Sequence, residues 1–267
     1  MKKYLDYFRV SLKVSIKNTL RFRADLLFTF LETFLILFTL FAFWTALYAE
    51  RTEVSGIDKN TMLFYTLSSI LLGIFVSFDI ERKIVREIWQ GSISLSYIRP
   101  IVYPFALFFD AVAQTIVKIL FQILPYIIVA FLYFSIRGSV SIHIGFAPAI
   151  SLCLSFLIFI VYQLLFGFLA FWTQEISGIL SLRAYVITFF SGSLIPLWFF
   201  PDWLFNIAKY LPFQAMYHTP LSLLIGKIPP NESFAAIAVQ GLWLAVFILV
   251  FLPVYRRAVK RIIVHGG

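Results

Sequence analysis

The stretch DIERKIVREIWQGSISLSYIRPIVYP, Asp79–Pro104, decides how the rest of the chain is read. It holds Arg82, Lys83, Arg86 and Arg99 together with Asp79, Glu81 and Glu87. Its first half has the composition of a short charged helix. Gly91 breaks that helix, because glycine adopts turn conformations at little steric cost. Arg99-Pro100 closes the segment, since the residue before a proline is pushed out of the helical region. Long apolar runs flank it on both sides. A polar island between two such runs is a connector or a docking surface, and the runs themselves must be explained by their solvent.

That solvent is lipid. Of the 267 residues, 61% are hydrophobic and 13% are charged, and the mean hydropathy is +0.92. A soluble domain is roughly 45–50% apolar and about 25% charged. The 32 phenylalanines fit a lipid surface, where a ring needs no polar partner. A net charge of +9 can point to nucleic acid, but here the basic residues flank apolar runs. They mark topology and attraction to anionic lipid instead, so no nucleic-acid partner is expected. Cys153 is the only cysteine, which excludes an intrachain disulfide. The first apolar run begins at Leu26, is long enough to span, and has no small-x-small end, so no cleavable signal peptide is expected.

The expected fold is an all-α membrane protein of one domain, residues 1–267, with six transmembrane helices. A span needs about 20 mainly apolar residues. The runs that qualify are approximately 26–49, 62–78, 105–134, 144–172, 184–200 and 234–255. The second and fifth are short. Before them, residues 4–23 carry Leu5, Phe8, Leu12, Ile16 and Leu20 at helical spacing. Arg9, Lys13, Lys17 and Arg21 form a parallel row. That pattern predicts an amphipathic interfacial helix lying in the headgroup layer.

Lysine and arginine counts orient the bundle. Seven lie in 1–25, four in 79–104, one in 173–183 and four in 256–267, sixteen on one side. The opposite loops 50–61, 135–143 and 201–233 carry two, one and two, five in all. The positive-inside rule then puts both termini and Asp79–Pro104 in the cytoplasm.

Pro196, Pro201, Pro212 and Pro220 punctuate apolar and aromatic runs too short to span. The expectation is a fifth span ending near Pro196–Pro201, then re-entrant helices in the outer leaflet before the sixth. Non-helical backbone at that depth must be buried against protein or line a cavity, which makes the region a lid or outer gate. Trp198 and Trp203 suit the outer interface.

Within the spans, Glu32 lies early in the first. Asp110, Gln114, Lys118 and Gln122 step at i, i+4 along the third. Such a stripe does not face lipid; it marks a translocation path or a subunit seam. It also has a plainer reading, with Asp110 at the interface and Lys118 snorkelling or paired. Pro125 is expected to kink the third span.

Enzyme chemistry finds little support. No GxxxxGK[ST] occurs, and Gly226-Lys227 has no glycine-rich lead. His143, His218 and His265 lack ligand spacing, so no metal is expected. No serine or cysteine has a recognisable base, so no catalytic residue and no bound cofactor is expected.

The chain resembles the six-span membrane subunits of ABC-2-type ATP-binding-cassette exporters. The carriers of the resemblance are the basic N-terminal helix, the loop with Gly91 and then Arg99-Pro100, and Ser191, Gly192, Ile195 and Pro196. Phe200-Pro201-x-Trp203, Leu211-Pro212-Phe213, Pro220 and Gly226 follow. The resemblance implies a permease that forms half of a substrate path, paired with a second half, the same or a related chain, in the plasma membrane. It implies a separate cytosolic ATPase that holds the ATP and magnesium and docks on the loop between the second and third spans. Glu87, Gly91, Arg99 and Pro100 are the expected docking residues, and Gly192, Pro196, Pro201 and Pro212 the expected outer gate. A membrane assembly or scaffold protein and an ion-driven carrier are the alternatives. A carrier would show acidic residues near mid-membrane in both halves, and the second half has none within its spans.

Overall fold

The computed structural model describes residues 2–98, 100–137, 143–173 and 176–265. Among the described residues, the regular structure is helical apart from one pair of two-residue strands. The first helix, α1 (Lys2–Arg21), passes into α2 (Arg23–Leu47) through Phe22, whose backbone leaves the helical region at φ −101 and ψ 58. Strands β1 (Glu53–Val54) and β2 (Ile57–Asp58) pair antiparallel. Ser55 and Gly56, both at positive φ, make the tight turn that such a hairpin favours. Asp58 then caps α3 (Lys59–Phe75), accepting from the backbone N–H of Asn60 at 2.9 Å and of Thr61 at 3.2 Å.

The polar island folds as α4 (Ile80–Trp89) and α5 (Ile93–Ile98), with Gly91 at φ +67 between them. The island is therefore two short helices rather than one helix and a loop. Next comes α6 (Tyr103–Lys118), a π turn over Ile119–Ile123, and α7 (Leu124–Arg137). The π turn ends two residues before Pro125. Proline lacks the N–H of a regular helical bond and its ring collides with the carbonyl four residues back; a widened turn relieves both.

The remaining helices are α8 (Phe146–Leu169), α9 (Ser177–Phe190), α10 (Asp202–Ala208), α11 (His218–Leu224) and α12 (Pro230–His265). Single 3-10 turns cover Leu197–Phe199 and Pro212–Ala215.

Among the described residues, five helical segments are long and apolar enough to cross a membrane: Arg23–Leu47, Lys59–Trp89, Tyr103–Ile136, Phe146–Leu169 and Pro230–Arg261. The fifth expected span, 184–200, has different bounds. Its helix, α9, begins at Ser177 and stops at Phe190. Fourteen residues rise about 21 Å, short of a hydrocarbon core of about 30 Å. Gly192 at φ +81 cannot continue a right-handed helix, and Pro196 follows in extended backbone. Hydropathy counts residues 191–200 as span because they are apolar, but their backbone is not α-helical.

The core is built around α8, which packs against α12, α4 and α11. Ile158, Phe159, Ile160, Tyr162, Leu164 and Phe168 of α8 are buried. In contrast, α2 buries only Thr33 and Trp44, and α9 only Ile187. Lipid tails are as apolar as leucine, so exposed phenylalanine and leucine on α2 cost little in a bilayer.

The first helix packs on α6. Tyr4 and Phe8 meet Phe109 at ring distances of 6.0 and 6.1 Å. The expected apolar row is only partly the inner face, because Leu5 and Leu20 are exposed. The inward stripe instead includes Tyr7, Ser11, Ser15 and Thr19, while Arg9, Lys13, Lys17 and Arg21 face outward.

Candidate functional site

The helix α4 is bolted to four neighbours, α5, α6, α8 and α9, by groups that sequence alone did not connect. Ile80, Glu81, Ile84 and Val85 form its buried stripe. The Ile80 N–H donates to Gln163 Oε1 of α8 at 3.3 Å. A Cβ on Gly167 of α8 would lie 2.7 Å from Ile84 Cδ1 and 3.1 Å from Glu81 Cα. Only glycine allows this approach of α4 to α8.

Glu81 and Arg183 form an ion pair that ties α4 to α9, with each side chain only 10% exposed. The Arg183 guanidinium also lies 5.4 Å from the Tyr162 ring centre and 5.7 Å from that of Phe166. A charge this deep is stabilised only by a paired, well-placed partner. Arg183 was counted in a loop from its position in the sequence; it belongs to α9 and to this pair.

Glu87, an expected docking residue, turns its carboxylate into the chain. Its Oε2 accepts from Tyr103 OH at 2.7 Å and from Ser96 Oγ at 2.9 Å, bracing α5 and α6 against α4. The outward surface of this elbow carries other residues. Arg82 and Arg86 reach Asp79 at 3.8 and 3.7 Å and are largely exposed. Trp89, Leu95 and Ile98 are 58%, 63% and 79% exposed, and Gly91 and Pro100 also face outward. Arg99 lies outside the described residues.

The polar stripe of α6 is a second constellation. Asp110 Oδ2 accepts from Lys83 Nζ of α4 at 2.6 Å and from Tyr7 OH at 3.3 Å, and its Oδ1 from Ser11 Oγ at 2.6 Å. Burial raises the Tyr7 hydroxyl above its usual pKa, and the Asp110 carboxylate adds in the same direction, so Tyr7 remains a donor. Lys118 Nζ donates to the Ser77 carbonyl at 2.5 Å and to Ser77 Oγ at 2.7 Å. Asp110, Gln114, Lys118 and Gln122 line one cavity of ≈ 560 Å³ against α1. The stripe thus faces the chain's own first helix. Glu32 is apart from them, on the exposed surface of α2.

At the other end of the bundle, residues 191–228 form a collar of short helices and turns. Its backbone is held by buried neutral side chains from the long helices. Tyr65 OH donates to the Gly192 carbonyl at 2.8 Å, and Ser69 Oγ to that of Ser193 at 2.6 Å. Ser155 Oγ donates to the Met216 carbonyl at 2.5 Å. Gln240, fully buried, donates to the carbonyls of Ala215 at 2.8 Å and Ser151 at 3.2 Å and accepts from Ser151 Oγ at 2.7 Å. Pro196 precedes the first 3-10 turn, Pro201 precedes α10, and Pro212 opens the second 3-10 turn. Trp198 stacks edge-on to Tyr65 at 5.0 Å, while Trp203 is exposed. Gln240, Ser151 and Ser155 were missed in the sequence; lone polar residues inside apolar runs were the available signal.

A further opening of ≈ 660 Å³ between α3, α7, α8 and α11 is lined almost wholly by apolar side chains, among them Phe64, Leu71, Ile127 and Leu224. No group of three metal-ligating side chains occurs among the described residues.

No curated protein matches the chain. The family model described as ABC-2 family transporter protein matches residues 34–266. That match takes in every helix from within α2 to the end of α12, so the chain belongs to the ABC-2 transporter membrane family.

Proposed function

We propose that the chain is the permease subunit of an ATP-driven exporter, contributing half of a substrate path and moved by a separate cytosolic ATPase. The α4–α5 elbow carries this reading. Its inner face is locked to α6, α8 and α9 through Glu87, Gly167 and the Glu81–Arg183 pair. Its outer face presents two arginines beside three exposed apolar side chains. Exposed apolar groups set among charges are a protein-docking surface. A force applied there reaches two membrane helices at once, because α4 cannot tilt without moving α8 or breaking the pair to α9.

The sixteen-to-five distribution of lysine and arginine supports a cytoplasmic elbow and cytoplasmic termini in the plasma membrane. The collar then faces the outside. It is the outer gate, with Gly192, Pro196, Pro201 and Pro212 setting its turns. ATP and magnesium belong to the partner, and docking includes Gly91 and Pro100 at the elbow's two bends, with Arg99 expected from the family resemblance. A second permease half, the same or a related chain, packs on α2. Glu32 lies about 14 Å along α2 from Arg23, and a carboxylate that deep is too costly to leave in lipid.

The test is affinity purification in mild detergent, with every co-purifying chain sequenced. A chain carrying GxxxxGK[ST] is expected with the parent and lost with a Trp89→Ala, Ile98→Ala double variant of unchanged thermal stability. Retention of that chain by the double variant places the contact elsewhere and defeats the docking assignment.

A further inference from the structure

The cavity between α1 and α6 is built unlike the rest of the bundle. Its α1 wall is Ser11, Ser15, Asn18 and Thr19, hydroxyls and an amide without a charge. Its α6 wall is Asp110, Gln114, Lys118 and Gln122, and α4 contributes Lys83. Two ammonium groups therefore face one carboxylate. The carboxylate is already satisfied by Lys83, Ser11 and Tyr7. Lys118 is different. Its two described hydrogen bonds go to the uncharged carbonyl and hydroxyl of Ser77. An ammonium has three donors, and no ion pair of Lys118 occurs among the described residues. The Asp79 carboxylate is engaged with Arg82 and Arg86.

The cavity thus offers one unneutralised cation ringed by small donors, which is the chemistry of a phosphate ester seat. Its rim is apolar. Val10 and Val14 line the cavity and are 61% and 49% exposed, and Phe121 at the far wall adjoins exposed Leu120 and Leu124. A free phosphate has no use for such a rim, whereas acyl chains do. The outward basic row of α1 draws anionic lipid to the same place.

We propose that this cavity binds the headgroup phosphate of one anionic glycerophospholipid of the leaflet in which α1 lies, with its acyl chains on the Val10, Val14 and Leu120 surface. Lys118 and the α1 hydroxyls hold the phosphate, and the lipid fastens α1 to α6. The inference rests on the cavity and on α1 lying at the membrane surface; it does not depend on the ATPase assignment.

Native mass spectrometry of the full-length protein in mild detergent tests it, with phosphatidylglycerol and phosphatidylcholine of matched chains. The parent is expected to retain one phosphatidylglycerol per chain in preference to phosphatidylcholine. Lys118→Gln is expected to lower that preference roughly tenfold, the loss of one charge-assisted bond. Lys118→Arg should keep it, and Lys209→Gln, just after α10 in the collar, should leave it unchanged. Equal retention of both lipids by the parent overturns the proposal without reference to any variant. So does parental retention by Lys118→Gln. Displacement of the lipid by millimolar glycerol phosphate would show a seat for soluble phosphate esters and overturn the lipid assignment.

Discussion

The two ends of the bundle solve one problem with different chemistry. Each must hold short, irregular segments against long helices. At the α4 junction the bolts are charges: Glu81 to Arg183, Asp110 to Lys83, and Glu87 accepting from Tyr103 and Ser96. In the collar the bolts are neutral hydroxyls and an amide donating to backbone carbonyls. A neutral donor pays little desolvation on burial but is worth only about 1 kcal/mol. A buried charge is costly alone and strongly coupled to its partner. The junction therefore gains an element that responds as a unit, and the collar gains a backbone with its carbonyls satisfied where water is scarce.

Breaking this contrast at its strongest point means Arg183→Met. It leaves Glu81 buried and unpaired, and thermal unfolding in detergent should show a loss of about 3–5 kcal/mol. Adding Glu81→Gln should restore most of it, since the cost lies in the orphaned charge. Additive losses would mean that the two side chains are not coupled.

Gly167→Ala comes next. Its Cβ meets Ile84 and the Glu81 backbone, so α4 must move off α8. Overpacking of this kind costs about 1–3 kcal/mol, again read by thermal unfolding. Gln240→Leu probes the collar at a similar scale. It strands the Ala215 carbonyl and the Ser151 hydroxyl, for a loss of about 1–3 kcal/mol. Here there is no orphaned charge for a second substitution to neutralise, which separates it from the Arg183 case. The smallest effect is expected for Glu87→Gln, about 1 kcal/mol, because an amide oxygen in the place of Oε2 still accepts from both hydroxyls and only the charge is lost.

The same contrast explains what could be read from residues alone. The helical membrane fold was legible in the long apolar runs, and the collar's turns in Gly192 and the prolines, because those residues act through their own backbone. The stripe Asp110, Gln114, Lys118 and Gln122 was legible because four residues at helical spacing share a face whatever packs on it. The Glu81–Arg183 pair was not. Its members are 102 residues apart, and nothing local distinguishes Arg183 from a topology-setting loop charge. The bonds Glu87 makes within the chain were illegible for the same reason: its partners Ser96 and Tyr103 come close only when α5 and α6 fold back. The end of α9 was misplaced because hydropathy measures composition, whereas the left-handed backbone of Gly192 stops the helix.

The central claim is that α4 passes motion from a docked ATPase to the collar through α9. The direct measurement uses a single cysteine at Asn206, exposed in α10, in a Cys153→Ser background. Its labelling by a membrane-impermeant maleimide is timed in the purified complex with and without a non-hydrolysable ATP analogue. The expected result is a labelling rate that depends on nucleotide in the parent and does not in Arg183→Met, with the ATPase co-purifying equally in both. A nucleotide-dependent rate that survives Arg183→Met would show that the motion reaches the collar by another route.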